Sequence, residues 1–208
     1  MIINHTSMKN KCMDLMSRMG MIKHYNKRQN IYEYAFDNSF IEDESLMEDK
    51  VDNEESQKVR EMILSNQYWI RNEYEQFLDS LNQSTRKPFL SKYTAEELKN
   101  HNVQTYQLNG YHIGYALKPD EDGVDIISVH NNEPNIKGVG DALIESAKSN
   151  GGTKLDHYDG FLSDLYSKHG FEEYDRYKWD DQYADPNWDY ERYGRPDVVL
   201  RRLKNIPQ

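Results

Sequence analysis

The stretch VQTYQLNGYHIGYALKPDEDGVDIISV, residues 103–129, constrains the fold of this chain more than any other segment. Three runs rich in Val, Ile, Tyr and Leu are separated by Asn109-Gly110 and by an acidic turn that ends at Gly123. Asn-Gly between alternating runs is the strongest short-range hairpin signal, because both residues tolerate a positive φ. The spacing predicts three antiparallel strands in a meander. A meander is apolar on at least one face and needs further elements to cover it.

Candidates for that cover lie on both sides. Upstream, PFLSKYTAEEL predicts a short extended piece, then a helix from Thr94 to about Asn102, with Thr94 and Glu97 as a capping box. Downstream, Val139, Leu143, Ile144 and Ala147 mark one face of a helix closed by Asn150-Gly151-Gly152. TKLDHY reads as a strand, and Asp159-Gly160 starts a second helix with Phe161, Leu162, Leu165 and Tyr166 on one side, ended by Gly170. FEEYDRYKW and DVVLRRL complete the strands, and the aromatic loop DDQYADPNWDYERYGRP joins them.

Met1 to Asn82 differs in texture. It has no proline and no strand-like alternation, and it reads as a helical or partly disordered extension, with the acidic cluster after Phe40 as a solvated linker. Its best segment is one helix from Glu54 to Leu81, striped by Val59, Met62, Ile63, Ile70, Tyr74, Phe77, Leu78 and Leu81 and flanked by Trp69. That stripe either packs on its own domain or docks a protein partner. The expected division is therefore an extension over 1–86 and a mixed α+β domain over 87–208, its mostly antiparallel central sheet flanked by helices.

Composition narrows the function classes. The formal charge of -10 disfavours nucleic-acid binding, which needs neutralised phosphates, and suits a cationic partner or substrate. Only 37% of the 208 residues are hydrophobic, but 16 tyrosines supply rings that can be buried with a wet hydroxyl. No run approaches the roughly 18 apolar residues of a membrane span, and the N-terminus lacks an apolar signal core, so a cytoplasmic protein is expected. The single cysteine, Cys12, makes no internal disulfide and no thiolate zinc cage. Asp180, Asp181 and Asp185 lack calcium-loop spacing, and no metal is expected.

The chemistry centres on Asn135-Ile136-Lys137-Gly138-Val139-Gly140. A dinucleotide fingerprint would need glycine where Leu143 stands, and a P-loop would need Gly-Lys-Ser/Thr. What remains is a loop with one lysine and two glycines running from a strand into a helix N-terminus. It is either a plain helix start or a cradle whose amides and positive dipole end hold a diphosphate.

The order strand, helix, meander, glycine loop into helix, strand, helix, strand, strand resembles the GCN5-related N-acetyltransferase (GNAT) superfamily over roughly Lys87 to Leu203. The family's loop reads Gln/Arg-x-x-Gly-x-Gly/Ala, which this chain follows except at Asn135. A second signature, Asn-x-x-Ala leading to Leu-Tyr-x-x-x-Gly-Phe, is met at Leu165-Tyr166 and Gly170-Phe171 and departed from at Asp159 and Leu162. The segment also looks like acetyltransferase-like domains of bacteriophage proteins, so a non-catalytic, virion-associated interaction protein is the alternative reading.

The resemblance implies acetyl-CoA as cosubstrate and an amine-bearing acceptor, either a protein lysine or a small molecule. It puts a backbone amide near Val129 on the thioester carbonyl, the amides from Lys137 to Asp141 on the pyrophosphate, Asp159 at the cofactor and Tyr166 as general acid. His130, Glu133 and Asp125 are the candidate bases. His157 faces either the core or the cofactor cleft, and Trp188, Tyr190 and Tyr193 with Asp185 and Asp189 are candidates to receive a cation.

Overall fold

Two asparagines in the left-handed region, Asn66 and Asn72, each with φ 59°, decide how the chain enters its main sheet. The computed structural model describes residues 24–26, 31–33, 53–83, 93–160, 162–184 and 188–204. Cys12, the acidic cluster up to residue 52, the extended piece around Phe89, Phe161 and Asp185 lie outside them.

The chain first forms an antiparallel pair, β1 (His24–Asn26) and β2 (Ile31–Glu33), where the sequence shows no strand-like alternation. Three-residue strands are too short to display a period of two. The expected helix from Glu54 to Leu81 is corrected to three elements: α1 (Glu54–Ser65), β3 (Trp69–Arg71) and α2 (Tyr74–Asn82). Asn66 ends α1 as a left-handed C-cap, its amide bonded to the Ile63 carbonyl. Asn72 then turns the chain out of β3, where its carboxamide accepts from the Thr105 amide at 3.2 Å. Helical spacing runs unbroken across both because Trp69, Ile70 and Tyr74 are apolar for a different reason, as parts of a strand and of a second helix.

The remaining elements are α3 (Ala95–Asn100), β4 (Gln104–Leu108), β5 (Ile113–Asp120), β6 (Gly123–Asn131), α4 (Gly140–Ser149), β7 (Lys154–Tyr158), α5 (Leu162–Lys168), β8 (Phe171–Tyr177), α6 (Tyr190–Tyr193) and β9 (Val198–Leu203). The Thr94–Glu97 capping box is present in both directions. At the hairpin only Gly110 has a positive φ, 82°, so the connection is a longer turn over 109–112 rather than a two-residue one. β5 runs through Pro119, which the sequence reads as turn. The β4 ladder stops at Leu117, so the missing Pro119 N–H has no neighbour on that side to disappoint.

Seven strands form one mixed sheet in the order β3-β4-β5-β6-β7-β9-β8, antiparallel except for β6 and β7. Its first face packs Tyr106, Leu108, Tyr115, Leu117, Ile126, Val129 and Leu155 against α1, α4 and α5. Its second face packs Ala116 and Ile127 against α2 and α3 through Phe77, Leu78, Leu81 and Leu98. Residues 53–82 thus share one sheet and core with the segment beyond residue 93. The stripe packs on its own domain, the first of its two readings: Val59, Ile63 and Phe77 are wholly buried, each contributing about 1.5–3 kcal/mol.

A polar network fixes α1 on α4. The Asn150 carboxamide donates to Asn66 Oδ1 at 2.8 Å and to the Tyr115 hydroxyl at 2.9 Å, and that hydroxyl meets Ser146 Oγ at 3.0 Å. The C-terminal ends of the two helices are therefore together. Their N-terminal ends are together as well, where the Asn53 carboxamide donates to the Asn135 carbonyl at 3.0 Å, so α1 and α4 run parallel. Among the described residues no helix is long and apolar enough to cross a membrane.

Candidate functional site

β6 and β7 are joined at one end and part at the other. Their ladder is a single pair, Asp125 with Lys154, supported by the Thr153 amide on the Val124 carbonyl at 2.9 Å. β7 then pairs with β9 over five residues, Lys154 to Tyr158, while β6 stays with β5. A cleft opens between the C-terminal ends of two parallel strands, a common place for ligands in sheets with parallel neighbours.

A β-bulge sits beside that cleft. Gly114 pairs with His130 and Ala116 with Ile127, so β6 spends one more residue than β5 over this stretch. Ser128 absorbs it in the left-handed region, φ 52°. The extra residue resets the alternation: Ile126 and Val129 both join the first-face core, whereas Ile127 and His130 turn to the second. Without the bulge Val129 would share a face with Ile127.

From β6 the chain passes through Asn132–Val139 into α4. Gly138 has φ 63°, a conformation that glycine adopts at no steric cost. Val139 precedes the first helical residue and provides no side-chain cap, and Asp141 is the first-turn acid. The first intrahelical bond is from the Leu143 amide to the Val139 carbonyl at 3.0 Å, and among the described residues no acceptor meets the amides from Gly138 to Ala142. Such first-turn amides are a ready anion site. The Lys137 amide is not one of them, since it donates to Ser56 Oγ of α1 at 3.0 Å.

Asp141 puts a negative charge at that helix start, and Lys168 at the end of α5 pairs with it. Lys168 Nζ lies 2.7 Å from Asp141 Oδ2 and His169 Nε2 lies 2.6 Å from Oδ1, while His169 Nδ1 reaches Glu145 at 2.6 Å. Burial opposes ionisation of Asp141 and Glu145, but Lys168 and His169 at Asp141, and Lys148 and His169 at Glu145, hold both carboxyls below their usual range. The same contacts tie the end of α5 to the start of α4, which brings Tyr166 to the loop's side of the sheet. Tyr166 is buried at 4% exposure, with its ring centroid 5.1 Å from His157 and 6.2 Å from Phe171.

His157 faces the core. Its Nδ1–H donates to the Tyr158 carbonyl at 2.6 Å, and its Nε2 accepts from Arg201 Nε at 2.9 Å. Burial, helped by the Arg201 charge, pushes its pKa down to about 4. Arg201 also donates to Ser167 Oγ and the Phe171 carbonyl, at the C-terminal end of α5 where a cation is favoured.

The candidate bases lie apart from this assembly. His130 is 1% exposed on the second face, its Nδ1–H on the Ser128 carbonyl and its Nε2 facing Ser80 Oγ, both at 2.9 Å. Burial drives its pKa down to about 4, and no ring lone pair is left to take a substrate proton. The Glu133 carboxylate accepts from the His112 amide at 2.6 Å, on the β5 side of β6 rather than the cleft side. Asp159 accepts from Ser163 at 3.1 Å and pairs with Arg176, which holds its carboxyl low. Asn135 is exposed, and among the described residues its backbone carbonyl alone takes part in a hydrogen bond, from Asn53.

Asp125 lies at the joined end of the cleft, about 13 Å along β6 from Val129. Its Oδ2 is buried without a hydrogen bond, and Lys154, bound to Asp120 at 2.9 Å and also to Asp122, approaches it only to 3.9 Å. Burial raises its pKa to about 7 against the downward pull of Lys154. A carboxyl raised on folding adds stability below its unfolded pKa near 4, and that contribution is lost as pH rises through about 7. Asp125→Asn is therefore expected to match the parent at pH 4 and to exceed it by about 2 kcal/mol at pH 8, as read by urea unfolding at both pH values.

At the far end of β7 and β9, Trp179, Trp188, Tyr158, Tyr190 and Tyr193 form one aromatic cluster, with Trp179 and Trp188 centroids 4.7 Å apart. The cation found on it is internal, Arg195 over the Tyr190 ring at 4.6 Å. Among the described residues no His, Cys, Asp or Glu cluster is arranged to hold a metal. Residues that sequence reasoning missed are Ser56 and Arg60 on α1 and the Lys168–His169 pair. Nothing local marks them, because their partners lie some 80 and 27 positions away.

No family model and no curated protein matches this chain. Among solved structures, a GNAT family acetyltransferase from Elizabethkingia anophelis with acetyl-CoA bound is similar at 23% identity and TM-score 0.37, over 54% of this chain and 84% of that one. N-acetylglutamate synthase from Neisseria gonorrhoeae, complexed with coenzyme A and L-arginine, is similar at 17% identity and TM-score 0.38, over 66% of this chain and 33% of that one. The chain thus spans a third of the synthase's length.

Proposed function

We propose that this protein is an acetyl-CoA-dependent N-acetyltransferase that acts on a primary amine of a protein or small molecule. The observation that carries the reading is the conjunction at the start of α4: amides over Gly138–Ala142 that meet no acceptor among the described residues, a left-handed Gly138, and the parting of β6 from β7. The sheet order and the sequence motifs agree with the same reading.

Acetyl-CoA, when bound, supplies an activated thioester and a diphosphate. The residues fit the latter, since five amides at a helix N-terminus match a compact, doubly charged group and Lys137 adds charge. The bulge at Ser128 and Val129 sets the backbone beside the cleft, where a polarised carbonyl is needed. Tyr166 is the proposed general acid, whose phenol O–H returns a proton to the departing thiolate. With His130 and Glu133 engaged elsewhere, the acceptor amine is proposed to lose its proton to water at the cleft mouth. The net charge of -10 favours a cationic acceptor.

The test is thiol release from acetyl-CoA in the presence of a panel of primary amines, for the parent and for Tyr166→Phe. Turnover is expected to fall by about 100-fold with an unchanged Kd for CoA, in the range typical of a lost acid. Equal turnover by the two proteins refutes the acid role, and absence of thiol release with every amine, from a protein that binds CoA, refutes the transferase reading.

A further inference from the structure

We infer that His169 governs anion affinity at the start of α4 by holding the Asp141 carboxylate off the amides that a diphosphate would occupy. The inference rests on the reading of the loop as a diphosphate cradle, and it gives His169 a role that neither the motif nor the resemblance assigns.

An acid in the first turn of a helix stabilises the helix, but it competes with an external anion for the same dipole and the same amides. Asp141 is that acid in α4. Aspartate side chains readily bond backbone N–H groups close to them in sequence. α1 shows what a helix start in this chain does with a side-chain oxygen nearby: Asn53 Oδ1 accepts from the Ser56 amide at 2.7 Å and caps it. At α4 the outcome differs. Among the described residues the amides from Gly138 to Ala142 meet no acceptor, and the Asp141 carboxylate is turned elsewhere.

Two neighbours at the end of α5 draw it away. His169 Nε2 lies 2.6 Å from Asp141 Oδ1 and Lys168 Nζ lies 2.7 Å from Oδ2, so both oxygens are engaged from outside α4. The two contacts are unequal. Lys168 is an exposed side chain, and an exposed ion pair contributes little. The His169 ring is buried, and its backbone is fixed where its amide meets the Leu165 and Tyr166 carbonyls. Glu145 Oε1, itself held by Lys148 at 2.8 Å, stands 2.6 Å from Nδ1 and orients the ring with Nε2 toward Asp141. The Asp141 side chain is half-exposed, so its direction is set by these contacts rather than by packing. Loss of the Nε2 contact frees the carboxylate to cap its own helix start, where it fills the amides and repels a phosphate. The effect requires Asp141: without that carboxylate nothing swings in.

Calorimetric titration of the full chain with CoA, with pantetheine, which has no diphosphate, and with inorganic pyrophosphate tests this. For His169→Leu, affinity for CoA and pyrophosphate is expected to fall about tenfold while pantetheine affinity stays unchanged. His169→Asn keeps a donor near the Nδ1 position and is expected to lose as much. His169→Gln, whose carboxamide reaches the Nε2 position, is expected to keep most of the parental affinity. These two polar variants decide the matter where His169→Leu does not fold. Asp141→Asn alone is expected to raise CoA affinity about threefold, and in that background His169→Leu is expected to cause no further loss. Parental CoA affinity in His169→Leu or His169→Asn overturns the role of His169 alone. Losses that persist undiminished with Asp141→Asn, or that fall equally on pantetheine, reduce His169 to a packing residue and overturn it as well. A folded parent that binds neither CoA nor pyrophosphate refutes the cradle and the inference with it.

Discussion

Gly114→Ala is expected to destabilise the protein by about 3 kcal/mol, toward the upper end of what overpacking costs. A Cβ at this position would stand 2.5 Å from the Tyr106 carbonyl oxygen and 3.0 Å from His130 Cε1. The first of these atoms is backbone in the neighbouring strand β4, so no rotamer change relieves it. The second belongs to a ring clamped between Ser80 and the Ser128 carbonyl, and yielding there would disturb the bulge. The methyl would push apart the strands that position Val129. Urea unfolding followed by tryptophan fluorescence checks the figure, with Gly170→Ala as the comparison. Gly170 has open space around its Cβ position but φ 83°, so its replacement costs only the backbone strain, about 1 kcal/mol. If the two variants are equally stable, the close approach of β4 and β5 at Gly114 is wrong.

Gly138→Val is expected to weaken CoA binding by about 100-fold, with a smaller effect on folding. At φ 63° a β-branched residue is strained by about 1–3 kcal/mol. The loop has little freedom to escape, because Ser56 and Arg60 hold the Lys137 peptide on one side and Val139, wholly buried, anchors the other. Relief must come from rotating the peptides between them, and these carry the amides proposed to meet the phosphates. Calorimetry with CoA at matched folded fractions separates the two effects. A variant with parental CoA affinity would remove Gly138 from the proposed site.

Much of the domain beyond Thr94 is legible in the sequence because its signals are local. The capping box at Thr94, Gly110, the α4 stripe and the Gly151 and Gly170 stops each act within a few residues, and each stands where it is expected. Three features resist such reading for a common reason. The Trp69–Arg71 strand is bounded by two left-handed asparagines, and asparagine advertises that conformation less strongly than glycine. The bulge at Ser128 has no glycine to announce it, and the pairing with Gly114 and Ala116 creates it. The roles of His130 and Glu133 turn on which face or flank each side chain takes, and that depends on the bulge and on His112, neither of which is encoded nearby.

The same logic explains why the loop is visible and its support is not. Lys137, Gly138 and Gly140 declare a turn into a helix start, but the hands that hold it, Asn53, Ser56 and Arg60, come from more than 75 positions upstream. Asn135 marks a gap in the local pattern.

Titration of the full chain with CoA, against pantetheine as the form without a diphosphate, tests the central claim most directly. The account predicts saturable binding of CoA at one site per chain and affinity for pantetheine at least tenfold weaker, since the start of α4 is proposed to recognise the phosphates. Equal affinity for the two ligands, or no binding of CoA by a folded chain, would contradict it.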